Sequence, residues 1–372
     1  MTFDRAAALA DVQRVVIKLG TAVLTRGDRR LDRALIFSLA EQVASLRHRG
    51  IDVIIVSSGA VGAGVAEMGF TEPPGSVTDK QAMAAVGQGL LMQIYQLAFS
   101  GEGIHTAQVL LSRGDLDDRQ RYLNARNAVL RLLELGVVPI VNENDTTAID
   151  ELTFGDNDLL SAAVAAKVDA QLLVILTIVD GLHDAEGGII SVVERVTDET
   201  MALVRSERSA LGKGGMESKL LAAKSAATSG VAAVIAAGKR RNVIDRIFAG
   251  EPLGTWFVPS EQGLRGRKRW IAMGKAHRDH RLVIDVGAVR ALTEKAKSLL
   301  PIGITSVEGD FNRGDLVEIV GPDGAVIGRG LVNYSGEQIA RILGARSGEI
   351  VERLGEAPFE EVIHRDNLII YR

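Results

Sequence analysis

The chain has no cysteine, which excludes disulfides, thiolate metal sites and thiol catalysis and fits a reducing compartment. Aromatic residues make up only 4% of 372 residues, so surfaces for stacking bases are scarce. Prolines number 8 against 40 glycines, and 47% of the chain is hydrophobic. That apolar mass is Val, Ile, Leu and Ala, which suits buried parallel sheet packed against helices. Neither sign of charge dominates: 43 basic and 47 acidic residues leave a net charge of −4, so nucleic acid and anionic membranes are poor fits as main partners. The longest mainly aliphatic run, Leu172 to Val179, is far below membrane-spanning length, and the opening MTFDRAAALADVQ lacks the apolar core of a secretory leader. The expectation is a soluble, cytoplasmic protein with no membrane partner.

The length corresponds to about two or three domains. From residue 12 to 238, short β-branched runs alternate with helical patterns: VVIKLG (15–20), VIIVSSG (53–59), TAQVLL (106–111), VVPIV (137–141), LLVILT (172–177) and AAVIAAG (232–238). Between the first two, Leu35, Leu39, Val43 and Leu46 keep a helical stripe that ends at Gly50. Strand, helix, strand repetition with continuously apolar strands predicts an α/β fold: a parallel sheet sandwiched between helices on both faces. Residues 1–262 form this first domain. A basic linker follows at 263–278, in which Arg265 to Arg278 carries six basic residues and no acids. Residues 279–372 then read as a smaller, mainly-β domain of short strands and turns such as Asn312-Arg313-Gly314-Asp315 and Gly321-Pro322-Asp323-Gly324. Trp256-Phe257, Arg269-Trp270 and the basic run read as solvated linker rather than an RNA surface, since the tail from Asp279 to Arg365 holds 10 basic and 14 acidic residues.

In parallel sheets ligands bind beyond the carboxyl ends of strands, and four polar segments fall there. Val141 to Asp158, VNENDTTAIDELTFGDND, crowds six carboxylates and three asparagines behind an apolar strand, a density of charge that no core buries cheaply. Lys18 interrupts VVIKLG just before Gly20; its amine either reaches solvent along its stem or faces an anion above the strand ends. Ser57-Ser58-Gly59-Ala60 turns a strand into a helix and exposes N–H groups suited to carboxylate or phosphate. The glycines that follow are no dinucleotide fingerprint, because Gly62 and Gly64 lead to Glu67. Gly212-Lys213-Gly214-Gly215-Met216-Glu217-Ser218-Lys219 resembles a phosphate loop without the Ser or Thr of a Walker motif. It places Lys219 in a helix's first turn, where a cation is unfavourable unless an anion joins it. Asp158 is either the N-cap of a helix from Leu159 to Lys167 or an acid aimed into the pocket. Asp145 has no helix to cap and suits an ammonium ion.

Two lysines, glycine-rich N–H groups and an orienting acid, with no histidine in these segments, suit phosphoryl transfer by positioning and charge stabilisation. A carboxylate acceptor is ionised at neutral pH and needs no general base. The residues therefore point to a kinase that makes an acyl phosphate on a small carboxylic acid.

The stretches VVIKLGTAVLT, VIIVSSGAVGAG, KQAMAAVGQ, DRQRYLNARN, VPIVNEND, FGDNDLLSA, GKGGMESKL, RKRWI, SLLPIGITSVEGDFNRGD and GRGLVNY run in order through nearly the whole chain. In them the sequence resembles the glutamate 5-kinase family, enzymes of proline biosynthesis with the amino acid kinase fold and often a C-terminal PUA domain. The resemblance implies ATP-dependent phosphorylation of the side-chain carboxylate of L-glutamate. Lys18 and Lys219 would neutralise the transferring phosphoryl group, oriented by Asp158. Ser58, Gly59, Ala60, Asp145 and Asn157 would hold glutamate. Lys18, Gly20, Thr177, Ile178, Lys213, Gly214, Gly215, Met216 and Lys219 would contact ATP. The resemblance further implies Mg²⁺ with the nucleotide, held by no protein ligand that can be assigned, feedback inhibition by proline and a homo-oligomer, dimer or tetramer. The chain departs from the family where Ile178 replaces an aspartate, His183 a tyrosine and Lys213 a common threonine. Two rival readings stand: a sibling kinase of the same fold acting on N-acetylglutamate, aspartate or a nucleotide, and an RNA-binding protein acting through its tail. The ammonium that Asp145 would hold argues against an acetylated acceptor.

Overall fold

The computed structural model describes residues 3–70, 72, 75–147, 157–205, 215–260, 279–295, 297–355 and 359–371. Two compact units divide the chain, Met1–Leu264 and Arg265–Arg372. The linker expected at 263–278 lies outside the described residues. No described helix is long and apolar enough to cross a membrane.

The first unit is built on eight strands: β1 (Arg14–Leu19), β2 (Asp52–Ser57), β3 (Thr106–Leu111), β4 (Val138–Glu143), β5 (Leu172–Thr177), β6 (Val192–Val193), β7 (Ala232–Ala237) and β8 (Thr255–Phe257). Their order across the sheet is β3-β4-β2-β1-β5-β7-β8-β6. The six strands expected from the apolar runs pair in parallel, and β8 adds antiparallel to β7. The helices are α1 (Arg5–Ala10), α2 (Thr21–Leu24), α3 (Arg33–His48), α4 (Ala60–Glu67), α5 (Val77–Gly101), α6 (Arg113–Asp117), α7 (Arg119–Glu134), α8 (Asn157–Lys167), α9 (Asp198–Arg205), α10 (Met216–Thr228) and α11 (Val243–Phe248).

Strand alternation divides the apolar residues between two cores. Val15, Ile17 and Leu19 of β1 join Val53 and Ile55 of β2 in a core shared with α3, α5 and α11. Val16, Ile54, Val56, Leu173 and Ile175 face the other way, toward Leu160, Val164, Leu220 and Ala223 of α8 and α10. By the same period of two, Lys18 follows Val16 onto the α8 and α10 face at the carboxyl end of the central strand. Asn142 follows Val138 and Ile140 onto the α5 face.

Two expectations are corrected. The fourth strand runs on to Glu143, because Leu110 and Leu111 of β3 pair with Asn142 and Glu143; these two polar residues are therefore strand, not loop. Trp256 and Phe257 are not linker but β8, each 1% exposed. A three-residue strand leaves no periodicity to read, and its burial depends on β7 lying beside it.

Arg126 of α7 anchors the far end of α8. Its Nε donates to the carbonyl of Lys167 at 2.8 Å and its NH2 pairs with Asp169 at 2.6 Å, which caps orphan carbonyl charge at that helix's C-terminus. At the other side of the sheet α4 and α5 cross through glycine. A Cβ on Gly64 would lie 1.9 Å from the Met83 carbonyl oxygen, and one on Gly87 would lie 1.8 Å from that of Ala60. Part of the small-residue run after Ser58 thus serves helix contact, not ligand contact.

The second unit carries the strands β9 (Arg281–Ile284), β10 (Ile304–Glu308), β11 (Leu316–Val320), β12 (Val326–Leu331) and β13 (Leu368–Ile370), in the order β10-β9-β11-β12-β13. Only β9 and β11 pair in parallel. Leu282, Ile284, Phe311, Val317, Ile319, Tyr334 and Ile339 form its core. The turn at Gly321 to Gly324 joins β11 to β12, with Gly324 at φ +79°.

The glycine contact has a matched control in the same helix, since a Cβ on Gly89 meets nothing within 4 Å. Gly87→Ala should destabilise the protein by roughly 2–4 kcal/mol, because main chain must move apart. Gly89→Ala should stabilise it by about 0.5–1 kcal/mol. Urea unfolding of the two variants reads the difference, and equal midpoints would contradict the contact.

Candidate active site

Lys18 stands on β1, the strand at the middle of the sheet, and is only 3% exposed. Its Nζ lies 2.5 Å from Oδ1 of Asp158, which is 0% exposed. Asp158 sits within the first turn of α8, one residue past the start of the helix. It is not an N-cap; its carboxylate leaves the helix to meet the lysines. Oδ2 of the same carboxylate is 3.1 Å from Nζ of Lys219 and accepts from Ser218 Oγ at 2.9 Å. Ser218 Oγ and Lys219 Nζ also reach the carbonyl of Gly215, at 3.0 and 3.4 Å, where α10 begins. One carboxylate thus ties the central strand to the N-terminal turns of two helices.

The electrostatics follow from this placement. Helix N-termini carry partial positive charge, and those of α8 and α10 meet at two lysines, so the position favours an incoming anion. Solvent is excluded from the three side chains, and each charge interaction is stronger there than in water. Gly20 lies next to this group: its N–H donates to the Leu176 carbonyl at 3.2 Å, and a Cβ on it would come within 3.7 Å of Lys18 Nζ. That distance is ordinary van der Waals contact, so a methyl at residue 20 would line the amine without displacing it.

A second cluster adjoins the first through Asn157, the residue before Asp158. Asn157 Nδ2, with its two N–H groups, lies within hydrogen-bond distance of three oxygens, the Ser57 carbonyl at 2.9 Å, Ser58 Oγ at 3.0 Å and Asn142 Oδ1 at 2.9 Å. Gly59 takes φ +100°, a left-handed conformation that a side chain would strain, and Ala60 opens α4 directly behind it. Asp145 lies in the turn after β4. Burial, together with the neighbouring Glu143 carboxylate, pushes its carboxyl up to about 6. Such a group is eased by a cation.

Toward the other side of Lys18, Thr177 ends β5 and is buried, whereas Ile178 behind it is 48% exposed. His183 Nε2 is 2.9 Å from Asp180 Oδ1, and Arg240 reaches Asp180 Oδ2 at 3.6 Å. Met216 opens α10 and packs partly on the second core. Lys213, Gly214 and Asp156 lie outside the described residues. Among the described residues no group of three or more His, Asp or Glu side chains could hold a metal ion.

Lys18, Asp158, Lys219 and Gly215 come together in one group, and Asn157 with Ser58 in an adjoining one. Sequence reading missed Ser218, Asn142 and Gln88. Ser218 carried a readable signal, a hydroxyl one residue before Lys219 in a helix's first turn. Gln88 carried none, since it enters only through the fold of α5 against β4.

The family follows from this frame and from comparison with known proteins. The sequence model of the amino acid kinase family matches residues 13–237, and that of the PUA domain matches residues 280–354. The first unit, with its parallel sheet and its site at the strand ends, is a kinase of that class. Glutamate 5-kinase of Herpetosiphon aurantiacus is 48% identical over 364 residues, spanning 96% of this chain and 98% of that protein. Glutamate 5-kinase of Geobacter sulfurreducens is 46% identical over 98% of this chain and 100% of its own length. Glutamate 5-kinase of Syntrophus aciditrophicus is 44% identical over 100% and 98%. The chain belongs to the amino acid kinase family and, within it, to the glutamate 5-kinases. Among solved structures, a UMP kinase from Bacillus anthracis superposes with a TM-score of 0.45 at 16% identity, over 67% of this chain and 97% of that one, a score too low to bear on the assignment.

Two outcomes follow. Asp158→Asn leaves two buried amines without their carboxylate and should cost roughly 3–5 kcal/mol of stability, read by chemical denaturation; a loss below about 1 kcal/mol would remove the bridge from the structural account. Asp145 behaves oppositely. Its folded-state pKa lies above the unfolded value, so its contribution is favourable at acid pH and is lost as pH rises through about 6. Asp145→Asn should therefore raise the stability of the ligand-free protein at pH 7.5, by up to about 2 kcal/mol, and change it little at about pH 3, below both pKa values.

Proposed function

We propose that the chain transfers the γ-phosphoryl group of ATP to the side-chain carboxylate of L-glutamate, giving ADP and L-glutamyl 5-phosphate, the entry step of proline biosynthesis. The observation that carries the reading is the buried Lys18, Asp158 and Lys219 bridge at the meeting of two helix N-termini. An acceptor carboxylate oxygen attacks the γ-phosphorus as the bond to the ADP oxygen breaks. The acceptor is already ionised, so no base is needed. Lys18 and Lys219 meet the charge on the transferring group, and Asp158 holds both amines in place so that little reorganisation accompanies transfer.

The strand ends divide the work. Thr177, Ile178 and Gly215 to Lys219, with Lys213, Gly214 and Gly20, serve the nucleotide side. Ser58, Gly59, Ala60, Asn157 and Asp145 serve glutamate, with the Asp145 carboxylate on the α-ammonium. Mg²⁺ would accompany the nucleotide phosphates and offset their charge; no carboxylate cluster among the described residues is assigned to it. Proline, an α-amino acid without the side-chain carboxylate, would compete for the same Asp145 contact as a feedback inhibitor. Assembly as a homo-oligomer in the cytoplasm belongs to the same reading. An N-acetylated acceptor has no ammonium to relieve Asp145, which favours the free amino acid over that rival.

With MgATP and hydroxylamine to trap acyl phosphate, L-glutamate should yield hydroxamate and N-acetyl-L-glutamate should not. Turnover of the acetylated acid alone would overturn the assignment. Lys18→Met and Lys219→Met should each lower kcat by roughly 100-fold or more with little change in glutamate KM, the signature of contacts made in the transition state. The KM for glutamate should climb by about tenfold per pH unit as pH falls below 6, where Asp145 takes up its proton.

A further inference from the structure

Two donors on neighbouring residues of α10 share one pair of acceptors. Ser218 Oγ lies 2.9 Å from Asp158 Oδ2 and 3.0 Å from the Gly215 carbonyl. Lys219 Nζ lies 3.1 Å from the first acceptor and 3.4 Å from the second. Lys18 meets the other carboxylate oxygen, Oδ1, at 2.5 Å. Asp158 is 0% exposed, so water cannot stand in for a donor that withdraws from either oxygen.

The Ser218 hydroxyl has a single proton and two acceptors within reach. Gly215 is the N-cap of α10, and the carbonyl of an N-cap residue already receives the first main-chain N–H of its helix. Asp158 Oδ2 carries negative charge, and a hydrogen bond to an ionised acceptor is about twice as strong as a neutral one. The proton of Ser218 therefore belongs to the carboxylate. Ser218 and Lys219 then differ in one respect that bears on chemistry. The amine is charged and is drawn to any anion that enters the site, whereas the hydroxyl is neutral and stays with the carboxylate.

We infer that Ser218 is a positioning residue for phosphoryl transfer: it keeps Asp158 Oδ2 hydrogen-bonded while Lys219 shares its charge with the transferring group. The inference rests on the reading above that the two lysines meet that group. As Lys219 engages the phosphoryl oxygens its hold on Asp158 weakens, and a buried carboxylate that loses its cation is costly. The hydroxyl offsets that cost at the moment it arises. Its effect therefore falls on the transition state rather than on the bound substrates. Ser218 acts through Asp158 and Lys219, with its hydroxyl turned to the carboxylate and not to the nucleotide.

The test is steady-state kinetics with MgATP and L-glutamate for the wild type, Ser218→Ala and Ser218→Thr. Ser218→Ala should lower kcat by roughly tenfold or more, as expected for a hydrogen bond to a charged group. The KM values for ATP and glutamate should each stay within about twofold. Ser218→Thr keeps the hydroxyl and should return kcat to within about threefold of wild type. A kcat for Ser218→Ala within about twofold of wild type would overturn the inference. So would a raised ATP KM at unchanged kcat, which would make Ser218 a nucleotide contact, or a parallel rise in both KM values, the mark of a loosened site. A fall in kcat that Ser218→Thr leaves in place would overturn it as well. Failure of the wild type to turn over glutamate would bring down the underlying reading, and the inference with it.

Discussion

Everything at the candidate site depends on one carboxylate without access to water, that of Asp158. Asp158 holds Lys18 and Lys219 at 2.5 and 3.1 Å, and the three residues come from a strand and two helices that share no local sequence. Burying one charge alone is costly, and burying several is tolerable only in near-ideal mutual geometry. The bridge therefore demands that β1, α8 and α10 meet at a fixed distance, and the surrounding core meets that demand. Val16 of β1, Leu160 and Val164 of α8, and Leu220 and Ala223 of α10 pack in one apolar cluster directly beneath the ions. The ion group and the core beneath it hold each other in register.

The same alternation that sends Lys18 to one face sends Asn142 and Ser57 to the other. Ser57 Oγ meets Tyr95 of α5 at 2.9 Å, and Asn142 meets Gln88 of α5. Lys18 and Asp158 are thus supported from the α8 and α10 face and Ser57 and Asn142 from the α5 face, with the adjacent residues Asn157 and Asp158 joining the two. Under the proposed function that adjacency keeps the acceptor and the lysines close, because one helix turn carries both. The distal end of α8 is held by Arg126. Positioning of this kind is where phosphoryl transfer draws its rate, since there is little covalent chemistry for side chains to perform.

Asp145 illustrates the cost of a site prepared for charge. Its carboxyl is pushed up to about 6 by burial and by Glu143, so the protein without ligand bears an unfavourable pair of acids. Under the proposed function a substrate ammonium relieves it, and the strain becomes selectivity. The exposed Ile178 and the His183 to Asp180 to Arg240 group lie beyond the end of β5, on the other side of Lys18.

The sequence by itself determined six strands of the first unit and their parallel sense, because continuous β-branched runs separated by helical periods suit a parallel sheet covered on both faces. It also determined that Lys18, Asp158 and Lys219 were out of place for their local surroundings, a lysine inside an apolar strand, surplus acids beside a helix start and a cation at a helix N-terminus. The tertiary structure alone decided that these three anomalies resolve one another. Pairing across distant segments leaves no trace in local periodicity. Tertiary packing likewise decided that Asn142 and Glu143 belong to a strand, through their pairing with β3, and that Trp256 and Phe257 lie in the core, through β7. Gln88 shows the boundary most clearly. An uncharged glutamine in the middle of a helix carries no signal of its own, and its hydrogen bond with Asn142 arises only because α5 lies against the end of β4.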